Sequence, residues 1–340
     1  MIWVAFFVAA LVSLVCTGLI RHYAQTHNFV DVPNQRSSHT QATPHGGGVA
    51  IVLSFQLMMA AIAYSGVLPA SDVLIYLLAG SWIALVGLLD DLRHIPARWR
   101  LLAHFSGAAF VLFWLDGVPP LLIAGGSDGL GWFASLVAIV CLVWLLNLYN
   151  FMDGIDGIAG IEAVSVCLGG VCLYWLYEDK TGLWIIPMVL AVATTGFLFW
   201  NFPKARIFMG DSGSGFVGFV IGIIALQASA FSVELLWCWL ILLGTFVTDA
   251  SVTLIRRVMR GEKFYEAHRS HAYQYASRKY NSHVPVSIAF GLINLLWLLP
   301  LSAMVVWGWL DGILALLIAY LPLVLLAFRY KAGARDLQEV

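Results

Sequence analysis

Two aspartates three residues apart, Asp153 and Asp156, interrupt the apolar stretch NLYNFMDGIDGIAG from Asn147 to Gly160. On a helix they would share a face, and Gly154 and Gly157 would let a phosphate or a neighbouring backbone approach without a Cβ in the way. A carboxylate inside a membrane span costs roughly 2.5–3.5 kcal/mol at the helix centre and less near the ends. Helix capping would explain one such aspartate; two, flanked by asparagines and glycines, point to a site. The segment LLDDLRHIPARWR, Leu88 to Arg100, places Asp90 beside Asp91, and adjacent carboxylates repel unless a cation is near. Arg93, Arg98 and Arg100 supply cations there. WNFPKARIFMGDSGSG, Trp200 to Gly215, sets Asp211 in a turn of small residues whose amides could face phosphate oxygens at a helix start, without the GK[ST] ending of a P-loop. The loop from Arg256 to Val284 is the longest and most charged, and it holds His268 and His271, spaced as on one helical face, beside Arg269. The pattern HExxH is missing and no thiolate is near, so zinc is not expected; a phosphate or sugar contact fits better.

The elements that must position these groups are membrane helices. The chain has 340 residues, 61% hydrophobic and 11% charged, with mean hydropathy +0.87, outside the range of water-soluble domains. The five cysteines fall in apolar spans and imply neither a disulfide nor a zinc framework. The first apolar run lacks a basic residue before it and a cleavage pattern after it, so it reads as a retained helix. Stretches long enough to cross the bilayer recur at about 2–20, 46–68, 72–89, 99–115, 132–149, 158–177, 183–200, 213–230, 234–255, 285–306 and 310–328. They do not alternate with period two, which excludes a barrel and leaves an all-α polytopic protein of about eleven spans.

Of the 18 Lys and Arg residues, 17 follow odd-numbered spans and only Lys180 lies on the other side. By the positive-inside rule the N-terminus is outside and the C-terminus cytoplasmic. Asp90, Asp91, Asp153, Asp156, Asp211 and all nine histidines then fall on the cytoplasmic face. The expected arrangement is one domain over 1–340, with loops 21–45, 90–99, 150–157, 201–212 and 256–284 forming the active site. A transporter or lipid flippase is the alternative, but it should carry polar groups near mid-membrane in several helices. Carboxylates facing a basic, histidine-bearing loop suit Mg²⁺ and phosphates, hence phosphoryl transfer. A CDP-alcohol phosphotransferase is disfavoured because DGIDGIAG lacks the arginine of DGxxAR and no second DxxxD follows.

From about Asp31 to His271 the motifs DVPNQRSSH with P-x-GG, DD, NLYNFMDGIDGIAG, NFPKARIFMGDSGS and the histidine loop occur in an order that resembles the polyprenyl-phosphate N-acetylhexosamine-1-phosphate transferases. The resemblance implies transfer of a sugar 1-phosphate from a UDP-N-acetyl amino sugar to undecaprenyl or another polyprenyl phosphate, with release of UMP, in the bacterial inner (cytoplasmic) membrane. It further implies Mg²⁺, with Mn²⁺ as an alternative ion, membrane lipid as surroundings, no nucleic acid, and a homodimer as an allowed assembly. Carried over by motif, Asp211 is the principal metal ligand, with Asp153 contributing. Asp90 and Asp91 position or deprotonate the lipid phosphate, and Asp153 and Asp156 line the metal and nucleotide site. Asn201 and Phe208 hold the uracil, and His268 and His271 contact the pyrophosphate and sugar. Asn150, Arg269, Arg98, Arg36 and His39 complete the expected substrate contacts. A direct displacement and a phospho-aspartate are both compatible with these carboxylates. HRSHAYQ replaces the HHHFE-like run of the peptidoglycan enzyme and TPHGGG lacks its lysine, so a muramoyl-pentapeptide is not expected. The form resembles the O-antigen-initiating subgroup, which handles N-acetylfucosamine, N-acetylquinovosamine or N-acetylglucosamine and begins lipopolysaccharide synthesis.

Overall fold

Residues 2–33, 41–118, 131–178, 180–263 and 268–334 are described by a computed structural model, and among them the architecture is helical. In chain order the helices are α1 (Ile2–Thr26), α2 (Gly48–Ser65), α3 (Ala70–Ile75), α4 (Ser81–Arg93), α5 (Ala97–Trp114), α6 (Gly131–Met152), α7 (Ile158–Leu176) and α8 (Ile185–Asn201). There follow α9 (Asp211–Ser229), α10 (Val233–Leu242), α11 (Gly244–Met259), α12 (Ala272–Tyr280), α13 (Val284–Ile293), α14 (Leu299–Val306) and α15 (Gly312–Arg329). π-Helical turns at Tyr76–Gly80 and Asn294–Leu298 join α3 to α4 and α13 to α14 into continuous rods.

Each of the eleven apolar stretches is helical among the described residues. Eight rods are long and apolar enough to cross a membrane, or nine if α10 and α11, bent by 65° at their junction, form one broken span. The stretch 234–255 is thus two helices where the sequence suggests one. α8 is shorter, and α5 carries Arg98, Arg100 and His104, which lower its hydropathy. α1 runs six residues past its expected end, and α4 continues to Arg93, so Asp90 and Asp91 lie on a helical turn and not in a loop.

α9 is the axis of the bundle: all of its residues but Asp211 and Leu226 are buried. It packs against α2, α4 and α6 through small residues. A Cβ on Gly48 of α2 would overlap the backbone of Gly213, and one on Gly87 of α4 would overlap that of Asp211 and Ser212. Between membrane helices, where apolar contact alone gives no net drive, such close backbone approach supplies the packing. It also brings the start of α9 against the end of α4.

Among the described residues one short antiparallel pair departs from the helical plan, Val30 opposite Pro44 and Asp31 opposite Thr43. Phe208 and Met209 extend it: Phe208 N–H donates to Pro44 O (2.8 Å), while Gly47 N–H and Gly48 N–H donate to Phe208 O (2.9 Å) and Met209 O (2.8 Å).

Candidate functional site

The site lies where the ends of α4 and α6 meet the start of α9. Gly210 turns the chain into α9 at φ +80°, a conformation that a side chain would strain. The first amides of α9 are then capped from another helix: the Asp91 carboxylate accepts Asp211 N–H at 2.9 Å and Ser212 N–H at 3.1 Å. Asp90 turns elsewhere, accepting the Arg100 guanidinium and, at 2.7 Å, Ile95 N–H. The two adjacent carboxylates are therefore separated by different partners, and the amides expected to receive a phosphate are occupied by Asp91.

Both oxygens of Asp211 have partners, Asn150 Nδ2 at 2.6 Å and Arg100 Nη1 at 3.3 Å, and Asn150 also reaches Ser214 Oγ at 3.2 Å. His45 approaches Asp91 at 4.0 Å and stacks on Phe29. Burial lowers the His45 pKa against the opposing pull of Asp91 and Asp31, which favours the neutral ring.

Asp153 and Asp156 occupy a non-helical connection between α6 and α7, so a turn and not a shared helical face brings them together. Burial raises the Asp153 carboxyl well above the usual range, and the charges of Asp211, Asp156 and Asp91 push the same way. Asp156 Oδ2 lies 3.2 Å from His283 Nδ1. The glycines of this stretch do not leave room for a ligand: the Tyr273 hydroxyl fills the space beside Gly154, and the Phe202 ring that beside Gly157.

Asp90, Asp91, Asp153, Asp156, Asp211, Asn150, Asn201 and Phe208 all line one cleft of about 450 Å³. Asn201 does so with both amide ends engaged, Oδ1 accepting Gly157 N–H and Nδ2 donating to Ile207 O, each at 2.9 Å. It therefore joins the Asp153–Asp156 connection to the segment carrying Phe208. A second cleft of similar size shares Asp156, Phe208 and His283 with the first and is lined by Lys204, Arg269 and Arg278. An acidic pocket thus stands beside a basic one.

Other expected residues fall differently. Arg98 is exposed, its guanidinium over the Trp99 ring, and Arg100, a further two positions along the first turn of α5, faces the carboxylates instead. His268 and His271 share no helical face, because the backbone of His271 is extended and α12 starts only at Ala272. Their rings nevertheless stack, with centroids 4.9 Å apart, and neither lines the cleft, where Gln274 from the same motif does. Arg36 and His39 lie outside the described residues.

Arg100, expected only as one of three nearby cations, and His45, Gln274 and His283, which fall in the expected loops with no individual role, line or charge the site. His283 carried a usable signal: it directly precedes the Val-Pro start of an apolar run, where a side chain must face the loop side. His45 ends the first loop in the same way. Gln274 had none, and the choice of Arg100 over Arg98 depends on how α5 is rotated in the bundle.

The donor set fits Mg²⁺ of the kind completed by substrate. Among the described residues no three His, Cys, Asp or Glu side chains gather closely enough to hold a metal by themselves. Mg²⁺ is ordinarily held by one or two carboxylates, with waters and phosphate oxygens filling the octahedron. Asp211 and Asp153 offer hard oxygens; burial, and after it the charges of Asp211, Asp156 and Asp91, disfavours the bare Asp153 carboxylate, and a cation would offset that charge.

The family model described as glycosyl transferase family 4 matches residues 73–229. The chain is 27% identical to a probable undecaprenyl-phosphate N-acetylglucosaminyl 1-phosphate transferase of Bacillus subtilis, over 79% of this chain and 75% of that one. It is 30% identical to the decaprenyl-phosphate N-acetylglucosaminephosphotransferase of Mycobacterium leprae, over 63% of this chain and 58% of the relative's length. It is also 30% identical to a phospho-N-acetylmuramoyl-pentapeptide-transferase of Deinococcus radiodurans, over 63% of this chain and 72% of that one.

Proposed function

Since this chain belongs to glycosyl transferase family 4, the polyprenyl-phosphate N-acetylhexosamine-1-phosphate transferases, we propose that it moves an N-acetylated amino-sugar 1-phosphate from a UDP-sugar to undecaprenyl phosphate. A lipid phosphate oxygen attacks the sugar-bearing phosphorus, the bond from that phosphorus to the bridging oxygen breaks, and UMP leaves. The observation that carries the reading is the cleft on which Asp90, Asp91, Asp153, Asp156 and Asp211 converge beside Arg100. The names of the relatives include both N-acetylglucosamine and muramoyl-pentapeptide transfer. The HRSHAYQ form and the lysine-free TPHGGG favour the smaller sugar, and with it initiation of O-antigen or another envelope polysaccharide.

In this reading Asp211 and Asp153 would hold Mg²⁺, which would supply neutralisation of charge on the donor phosphates. Asn150 and Arg100 fix the Asp211 carboxylate. Asp91 acts through the first turn of α9, and Asp90 with Arg100 faces the lipid phosphate. Phe208 offers a ring to the uracil, and Arg269 in the basic cleft meets the sugar side of the donor. The site opens to the cytoplasm of a bacterial inner membrane protein of eleven spans with its N-terminus outside; the segregation of 17 of 18 Lys and Arg supports this orientation.

The test is a donor panel. Membranes containing the protein, Mg²⁺ and undecaprenyl phosphate are incubated with labelled UDP-N-acetylglucosamine, UDP-N-acetylfucosamine, UDP-N-acetylquinovosamine and UDP-muramoyl-pentapeptide. UMP release with a butanol-extractable sugar lipid is expected from an N-acetyl amino sugar. Absence of product from every donor would exclude the transferase, and export of lipid without UMP would favour the flippase.

A further inference from the structure

Asp249 lies in α11, buried at 4% exposure, and does not line the acidic cleft. Its carboxylate is nonetheless directed at one target, the start of α12. Oδ1 accepts Ala272 N–H and Oδ2 accepts Tyr273 N–H, both at 2.9 Å. Thr253 Oγ1 donates to Oδ1 at 3.2 Å, and His271 Nδ1 stands 3.4 Å from the same oxygen. A carboxylate taking two amide hydrogens at a helix start satisfies donors that the helix itself leaves open and opposes the positive end of its dipole. Here the carboxylate comes from a different helix, so the cap fixes where α12 sits as well as that it forms.

The first turn of α12 in turn holds the wall of the cleft. The Tyr273 hydroxyl donates to Phe151 O at 3.0 Å and packs beside Gly154, while Gln274, bonded to His271 N–H at 3.3 Å, lines the cleft. Phe151 and Gly154 flank Asp153. A continuous set of bonds therefore runs from Asp249 through Tyr273 to the last turn of α6, which leads directly into the Asp153–Asp156 connection.

We propose that Asp249 is a positioning residue for the nucleotide-sugar side of the site: it sets the Asp153–Asp156 wall through α12 and leaves the Asp90–Arg100 side untouched. This rests on the transferase reading for its kinetic consequence but not for its structural one, so two measurements separate them. In Asp249→Ala, amide hydrogen exchange across residues 150–157 should quicken at least tenfold relative to the wild type, while residues 211–220 keep their protection. Unchanged exchange across 150–157 overturns the proposal whether or not the protein is a transferase. In turnover with UDP-N-acetylglucosamine, or the best donor of the panel, Asp249→Ala should raise KM for the donor at least tenfold and leave KM for undecaprenyl phosphate within twofold. Equal shifts for both substrates would mean a general loss of structure and would overturn it. Asp249→Asn keeps one acceptor and should recover part of the donor KM. Should Asp249→Ala fail to fold, Tyr273→Phe leaves both caps in place and removes only the bond to Phe151. It should raise the donor KM in the same direction by a smaller factor, and a donor KM equal to the wild type overturns the proposal.

Discussion

Asp91 and Asp211 are joined through backbone and not through their carboxylates: the Asp91 side chain accepts the Asp211 N–H at 2.9 Å, so one aspartate sets the position from which the other projects. Loss of a helix cap costs about 0.5–2 kcal/mol. Asp91→Ala should therefore lower the thermal midpoint in detergent and reduce turnover at least tenfold, with Asp91→Asn in between. A variant with wild-type melting and lost activity would show that Asp91 acts on substrate directly.

Arg100 and Arg98 make a paired test. Arg100 bridges Asp90 and Asp211, and hydrogen bonds to charged groups are worth about 1.5–3 kcal/mol each. Arg100→Ala should lower kcat/KM at least tenfold, whereas Arg98→Ala, which loses only its place over Trp99, should stay within twofold. The reverse order, measured in the same membrane assay, would place the working cation on the other face of α5.

The packing of α2 on α9 predicts an asymmetry between two glycines. A Cβ at Gly48 would meet the Gly213 backbone, which cannot step aside, whereas at Gly215 the nearest atoms are Leu146 side-chain carbons at 3.6 Å or beyond. Gly48→Ala should destabilise by about 1–3 kcal/mol. Gly215→Ala should be neutral or stabilising by about 0.5–1 kcal/mol, because alanine loses less backbone entropy in a helix. Thermal melts of the two variants side by side would check this, and equal melts would contradict the packing described.

His268 gives stability a pH dependence of known sign. Burial lowers its pKa to about 3, with His271 and Arg257 adding to the effect. The unfolded chain binds this proton below about pH 6.5 and the folded chain does not, so stability is complete above that value and declines as pH falls from 6.5 toward 3. The thermal midpoint of the wild type should fall more between pH 7.5 and 5 than that of His268→Gln; parallel curves would mean that the ring is open to protons in the fold.

The helices were legible in the sequence because burial in a membrane imposes long apolar runs, and the aspartates were legible because charge is conspicuous within such runs. What the sequence does not carry is partnership. Asp91 and Asp211 are 120 positions apart, and no local spacing states that one caps the other. Asp90 and Asp91 look equivalent as neighbours, yet adjacent positions on a helix point about 100° apart, so their environments differ. The break between α10 and α11 left no proline to mark it, and Gly244 is one of several glycines in apolar segments. His268 and His271 carried the spacing of a helical face, but the carboxylate of Asp249 starts the helix one residue after them.

The strand pair at Val30–Asp31 and Thr43–Pro44, extended by Phe208 and Met209, has a practical consequence for comparing sugar preferences among relatives. The segment that leads into α2 and the segment that leads into α9 share main-chain bonds, and they behave as one module although about 160 residues separate them. A chimera that exchanges either alone would join mismatched backbones beneath Phe208, and any change in donor preference would report that mismatch. Exchanging both together would preserve the ribbon and let preference be read from side chains.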